Sequence, residues 1–284
     1  MSILTSGSNF IDLLKYILIA IVQGIAEILP ISSSGHITLT SELVKIEPSL
    51  TLSIFLHAGS LVAVIIYYAN DLWKMIKYLC LYLFKKDRSE DAKHYSKLVL
   101  MLIIATIPAG LIGVFLKDTI DEVFKNNIFL GIDFLITATI LIIISKLHGE
   151  RKVKEMTVFD ALLVGSFQAI GVLPGISRSG ITISGLKTRK FNSEDSANFA
   201  FLMFIPISAG SFLMEVYDLI KNPSDFNSSL SIPYIVGIIV SGLVTYFALK
   251  LLLKVIKKGK LWYFSIYLFI LGIIVISLSL AGVF

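Results

Sequence analysis

The sequence predicts an all-α polytopic membrane protein: six transmembrane helices plus two re-entrant helix pairs, arranged as an inverted-topology repeat. Three observations predict it. The chain of 284 residues is 56% hydrophobic and only 16% charged, with a mean hydropathy of +0.85, whereas a soluble domain is about one quarter charged. The apolar residues form blocks long enough to cross about 30 Å of hydrocarbon, unlike the short alternating segments of a membrane barrel. Two of those blocks are interrupted by related polar motifs, 145 residues apart.

The first broken block runs from about 10 to 45 and is interrupted by Pro30-Ile31-Ser32-Ser33-Ser34-Gly35-His36. Its opening stretch, Phe10 to Ile31, carries Gln23 and Glu27 and lacks a basic leader, so no cleavable signal is expected. Spans follow at 52–70, 98–116 and 128–145. The second broken block covers 158–188 and is interrupted from Pro174 to Gly180. Spans at 197–217, 232–252 and 262–282 complete the chain. Proline removes a backbone donor and glycine loosens the helix, so each broken block is expected to fold back on itself. Irregular backbone at membrane depth must be buried in protein or line a wet cavity.

The two broken blocks resemble each other. Gln23 to Gly35 aligns without gaps to Gln168 to Gly180, with six of thirteen positions identical. Ala58-Gly59-Ser60 echoes Ala209-Gly210-Ser211. Each block precedes three spans, which divides the chain into repeats 1–146 and 147–284 within one membrane domain. With 71–97 placed inside, the inside segments 71–97, 146–156, 187–190 and 250–260 hold nineteen Lys and Arg, against five outside. That is a positive-inside bias; it puts both termini outside and inverts the second repeat relative to the first. The net charge of +5 is therefore read as an orientation signal in a multi-pass membrane protein, not as a nucleic-acid footprint. Cys80 is the only cysteine, which excludes a disulfide framework or a cysteine-based metal cluster.

The remaining cation is Arg178, in Pro174-Gly175-Ile176-Ser177-Arg178-Ser179-Gly180-Ile181-Thr182. A guanidinium stays charged and is costly inside a bilayer without an anionic partner. Arginine recognises phosphate oxygens in a bidentate way. Ser177, Ser179, Thr182, glycine-exposed amides and the following helix N-terminus add donors. In the first motif, Gln23 and Glu27 are four apart and share one helix face. Glu27 must bind a metal, meet a cation or take a proton. Ser32, Ser33, Ser34 and His36 lie beside it, and His57, Ser60, Gln168 and Ser208 are supporting candidates. Together these residues point to a phosphorylated substrate handled within or at the edge of a membrane.

At these residues the chain resembles the bacitracin-resistance family of undecaprenyl-diphosphate phosphatases. Two motifs carry the resemblance: Gln23-Gly24-Ile25-Ala26-Glu27 leading to Ser32-Ser33-Ser34-Gly35-His36, and the segment Pro174 to Thr182. Phe55-Leu56-His57-Ala58-Gly59-Ser60 and Thr106-Ile107-Pro108-Ala109-Gly110 extend it over essentially the whole chain. The resemblance implies hydrolysis of undecaprenyl diphosphate to undecaprenyl phosphate, recycling of the cell-wall lipid carrier at the cell membrane, bacitracin resistance and a divalent metal such as Mg²⁺ or Ca²⁺. It aligns the family's acidic motif at Gln23 and Glu27, its serine-histidine motif at Ser33 and His36, and its phosphate-binding arginine at Arg178. Many members carry glutamate where this chain has Gln23, so a metal would rely on Glu27, with help from Gln23, substrate phosphates and water. Three routes stay open: Ser33 attacks with His36 as base, His36 activates a water, or His36 attacks directly. A lipid flippase or secondary transporter is the alternative, since inverted repeats are typical of transporters. A homodimer is left open by the sequence.

Overall fold

The computed structural model describes residues 6–46, 49–123, 127–223 and 230–283. They form eleven α-helices, with no strand among the described residues. The first broken block becomes α1 (Ser6–Ala26) and α2 (Ser33–Val44). Next come α3 (Leu50–Tyr67), α4 (Ala69–Phe84), α5 (Glu90–Val123) and α6 (Asn127–Ser145). The second broken block becomes α7 (Val158–Ile170) and α8 (Arg178–Thr188), followed by α9 (Ser193–Lys221), α10 (Ser231–Lys257) and α11 (Trp262–Leu280). Among them, α5, α6, α9, α10 and α11 are long and apolar enough to cross a membrane; α3 and α4, bent by 68° between them, meet that test only as a pair, which makes six if the bent pair is one span. At 1.5 Å per residue, α7 and α8 are each only about 16–20 Å long, too short to cross alone.

The membrane logic is plainest on α10. Ile235, Ile239, Leu243, Phe247 and Leu251 recur at intervals of four and are all exposed. The opposite face buries Tyr234, Ser241 and Thr245. In water such an apolar stripe would aggregate; in lipid it faces the solvent it prefers. The buried hydroxyls bond across helices, Ser241 Oγ to Leu56 O at 3.0 Å and Thr245 Oγ1 to Ser60 Oγ at 2.9 Å. Small residues allow the close crossings. A Cβ on Gly272 of α11 would lie 2.9 Å from the carbonyl oxygen of Gly131 on α6.

Helices equated by the 145-residue offset make equivalent contacts: α1 packs on α10 and α7 on α5, while α3 meets α9 and α6 meets α11. The four segments rich in Lys and Arg converge at one end. Lys97 Nζ donates to Lys154 O at 2.8 Å, Arg151 bridges to Phe191, and Lys257 pairs with Glu194 at 2.7 Å. Of the five cations expected at the other end, Lys125 lies outside the described residues.

One segment differs from expectation. Within the inside segment 71–97, Lys85 to Lys97 was expected to be a solvated loop, yet α5 begins at Glu90, and α4 occupies the residues before it. The reason is amphipathic patterning. Trp73, Ile76, Leu83 and Phe84 are exposed beside Lys74 and Lys77, the pattern of a helix lying along a membrane interface.

Candidate active site

The two broken blocks meet at their tips and are built alike. Ser32 caps α2 by accepting from Gly35 N at 3.4 Å, and Ser177 caps α8 by accepting from Gly180 N at 3.2 Å. In each loop the capping hydroxyl also bonds the serine two residues on, Ser32 to Ser34 at 3.3 Å and Ser177 to Ser179 at 3.2 Å. The loops are laced together: Gly175 N donates to Ser34 Oγ at 3.3 Å, and Ser179 Oγ donates to Leu29 O at 3.3 Å. Ser32 holds φ at 72°, a conformation that costs a non-glycine residue about 1–3 kcal/mol and recurs at functional loops. Both helices thus point their N-termini, with free amides, toward the junction.

Beside the junction lies a cavity of about 430 Å³, lined by Glu27, Ser33, Ser34, His57, Gln168, Ser177 and Arg178. Glu27, 7% exposed, is the hub. Gln23 Nε2 donates to its Oε2 at 3.1 Å, and His57 Nε2 stands 3.7 Å from the same oxygen. Arg178 Nη2 reaches Oε1 at 3.4 Å, and Ser33 lines the same cavity. The other arm of Arg178, Nη1, donates to Ser208 Oγ at 2.9 Å, and the guanidinium sits over Phe204. His57 is oriented by Ser53, whose Oγ is 3.2 Å from Nδ1. Thr182 Oγ1 donates to Gln168 Oε1 at 3.2 Å.

The structure does not bring His36 into this cavity. Its Nδ1 lies 2.7 Å from Ser32 O and its Nε2 lies 2.7 Å from Tyr267 OH. The carbonyl can only accept, so Nδ1 carries the proton and Nε2 accepts from Tyr267. The ring is buried between Phe134 and Tyr267, facing α6 and α11. Ser33, three residues earlier, opens α2 at the cavity edge; His36 turns with the helix into the packed interior. His57, only a supporting candidate from sequence, takes the place beside Glu27. Sequence reasoning also missed Ser53, Ser211 and Glu215, which line the cavity. The spacing of Ser53 to His57 on one helix face was the available signal; Glu215 offered none beyond its charge.

For a divalent ion, the available donors are the Glu27 carboxylate and Gln23 Oε1, the latter buried with no partner. Among the described residues no group of three His, Cys, Asp or Glu side chains could hold a metal. The donor set suits an ion held jointly with substrate phosphates and water, as Mg²⁺ often is.

The model of the family "Bacitracin resistance protein BacA" matches residues 16–274. The chain belongs to that family. It is 41% identical over 268 residues to "Undecaprenyl-diphosphatase 3" of Bacillus anthracis, covering 94% of this chain and 97% of that protein. It is 40% identical over 273 residues to the undecaprenyl-diphosphatase of Alkaliphilus metalliredigens, covering 94% and 98%. A 36% identical relative in Carboxydothermus hydrogenoformans carries the same description over 94% and 98%. The chain is thus a multi-pass membrane protein of the BacA family.

Proposed function

We propose that this protein hydrolyses undecaprenyl diphosphate to undecaprenyl phosphate and inorganic phosphate at the cell membrane, recycling the cell-wall lipid carrier and conferring bacitracin resistance. The observation that carries the reading is the Glu27–Arg178 pair, one residue from each broken block, set in a polar cavity among apolar helices. That cavity suits a diphosphate headgroup. Outside it, across the α5–α9 seam, lies an apolar groove of about 680 Å³ lined by Ile103, Gly110, Val114, Leu202 and Ile205. The prenyl tail stays on that apolar side while the diphosphate enters past Ala109, Gly113 and Ile207.

Arg178 clamps the terminal phosphoryl, joined by the Ser177 hydroxyl and the N-terminal amides of α2 and α8. Ser33 Oγ attacks that phosphorus as its proton passes to Glu27, and the bond to the bridging oxygen breaks, releasing undecaprenyl phosphate. Water then cleaves the phosphoserine to free phosphate. Glu27 is the base in this reading because it lines the same cavity as Ser33, and Gln23 and His57 approach its Oε2. His36 is a positioning residue that fixes the Ser32 carbonyl. A divalent ion, held by Glu27 and Gln23 Oε1 with substrate phosphates, would neutralise charge on the diphosphate. The repeats 1–146 and 147–284, with inverted re-entrant pairs and both termini outside, complete this reading; a homodimer is compatible with it.

Purified protein in detergent should release phosphate from C15 and C55 prenyl diphosphates, and release should fall on adding a chelator. Arg178→Ala should lower kcat/KM by at least about 100-fold, the usual effect of losing one preorganised donor, while retaining the thermal unfolding midpoint. Failure of the wild-type protein to release phosphate without a sealed compartment would favour a flippase. Survival of activity in Arg178→Ala would overturn the assigned clamp.

A further inference from the structure

A second cavity, of about 620 Å³, lies at the opposite, basic end of the bundle. It is walled by the end of α3, the starts of α5 and α9, the end of α10 and the turn at Val153–Glu155. On α3, Tyr67 lies ten residues beyond His57, about 15 Å along a helix axis, so this cavity is separate from the one at Glu27 and Arg178.

The lining divides in two. Leu98, Phe199, Leu202 and Leu253 give an apolar floor, while Lys152, Lys154, Lys250, Lys254 and Lys257 bring five ammonium groups to it. Three carboxylates also face it: Asp71, Glu194 and Asp195. Two of these are engaged, Glu194 with Lys257 at 2.7 Å and Asp195 with the Val153 amide at 2.8 Å. Lys250 lies over the Tyr246 ring, 4.3 Å from its centroid. Lys152, Lys154 and Lys254 make no ion pair among the described residues. Tyr67 and Tyr68 pack edge to face at the rim, and Tyr68 OH donates to Asn198 at 2.9 Å. Cations surplus to their partners above an apolar floor, at the ends of membrane spans, select an amphiphile with an anionic head. A soluble anion would leave the apolar floor wet, and a neutral lipid would leave the lysines unanswered. Basic pockets between transmembrane helices near the membrane surface bind phosphate-bearing headgroups by this logic.

The geometry points to a binding site for an anionic phospholipid headgroup at this end of the protein. The site lies outside the catalytic cavity and does not depend on the proposed hydrolysis. Delipidated protein in neutral detergent would be titrated with phosphatidylglycerol, phosphatidylcholine and inorganic phosphate, with binding read by native mass spectrometry. Phosphatidylglycerol should bind at least about tenfold more tightly than phosphatidylcholine. Lys154→Glu with Lys254→Glu should remove that preference while leaving phosphatase turnover in detergent unchanged. If charge reversal prevents folding, Lys154→Gln with Lys254→Gln should weaken phosphatidylglycerol binding severalfold. Equal binding of the two lipids, or a preference that survives both variants, overturns the proposal. Lysine-dependent binding of inorganic phosphate without phosphatidylglycerol selectivity would assign a soluble-anion site and overturn it as well.

Discussion

His36 and Ser33 are three residues apart, and the structure separates their surroundings. Ser33 opens α2 at the cavity that Glu27 also lines, while both nitrogens of His36 are engaged by Ser32 O and Tyr267 OH. If His36 acts by holding Ser32, Tyr267→Phe removes one hydrogen bond of about 1 kcal/mol and should lower kcat less than about tenfold, leaving the pH profile unchanged. His36→Gln should behave similarly, because an amide can still donate to the carbonyl. A general base would cost about 10²–10⁴ in rate when removed, so a loss of that size in His36→Gln returns the base role to His36. Ser33→Ala should abolish turnover. The meeting of Arg178 and Glu27 was legible in the sequence, since two intramembrane charges of opposite sign on related motifs have few other partners. The orientation of His36 was not legible: a three-residue spacing puts two side chains near each other without saying which side of the helix the cavity occupies.

The pair α7 and α8, from the second broken block, is anchored at its base by an ion cluster. Asp160 is fully buried, with Arg151 Nη2 at 2.8 Å and Arg189 Nε at 2.6 Å. It also closes the capping box of α7 with Thr157. Burial pushes the Asp160 carboxyl up, but hydrogen bonds from Arg151, Arg189 and Thr157 outweigh it and hold the group well below the usual carboxylate range. A depressed native value means that its contribution is fully present above the unfolded pKa of about 3.9 and is lost as pH falls through the lower native value. Hydrogen-exchange protection across α7 and α8, corrected for the intrinsic pH dependence of exchange, should therefore hold steady from neutral pH to about pH 4 and fall only below it. Asp160→Asn should loosen the pair at neutral pH by about 2–3 kcal/mol, less than the cost of breaking a fully buried pair, because both guanidiniums keep partial solvent access. Unchanged exchange in that variant would remove the anchoring role. This cluster joins residues 9 to 38 apart in sequence, a pairing that no local pattern announces. The long apolar helices α5, α6, α9, α10 and α11, by contrast, were legible, since span length against bilayer thickness is a local property. Helix α4 was not, because its exposed lysines outweighed its apolar face when charges were counted along the chain.

At the scale of the whole molecule, the side of the membrane is a question of charge, and the chain carries its own reporter. Cys80 is the only cysteine and is exposed on α4. The neighbouring Tyr78 stacks on Tyr95 and bonds Asp91 at 3.2 Å, which places this part of α4 against the start of α5, at the end where the basic segments converge. Moving lysine-rich segments across a bilayer is costly, so that end should face the cytoplasm. Lys45 lies between α2 and α3, at the other end of α3 from Tyr67, and is exposed. A membrane-impermeant maleimide should therefore leave Cys80 unlabelled in intact cells and label it in inverted vesicles. Lys45→Cys in a Cys80→Ser background should give the reverse pattern. If both sites label from the same side, α3 does not span the membrane and the six-span reading fails. If each labels from the side opposite to that expected, the spans stand and the orientation is reversed, which would place the lysine cavity in the outer leaflet and set the phosphatase site at the other mouth of the same bundle.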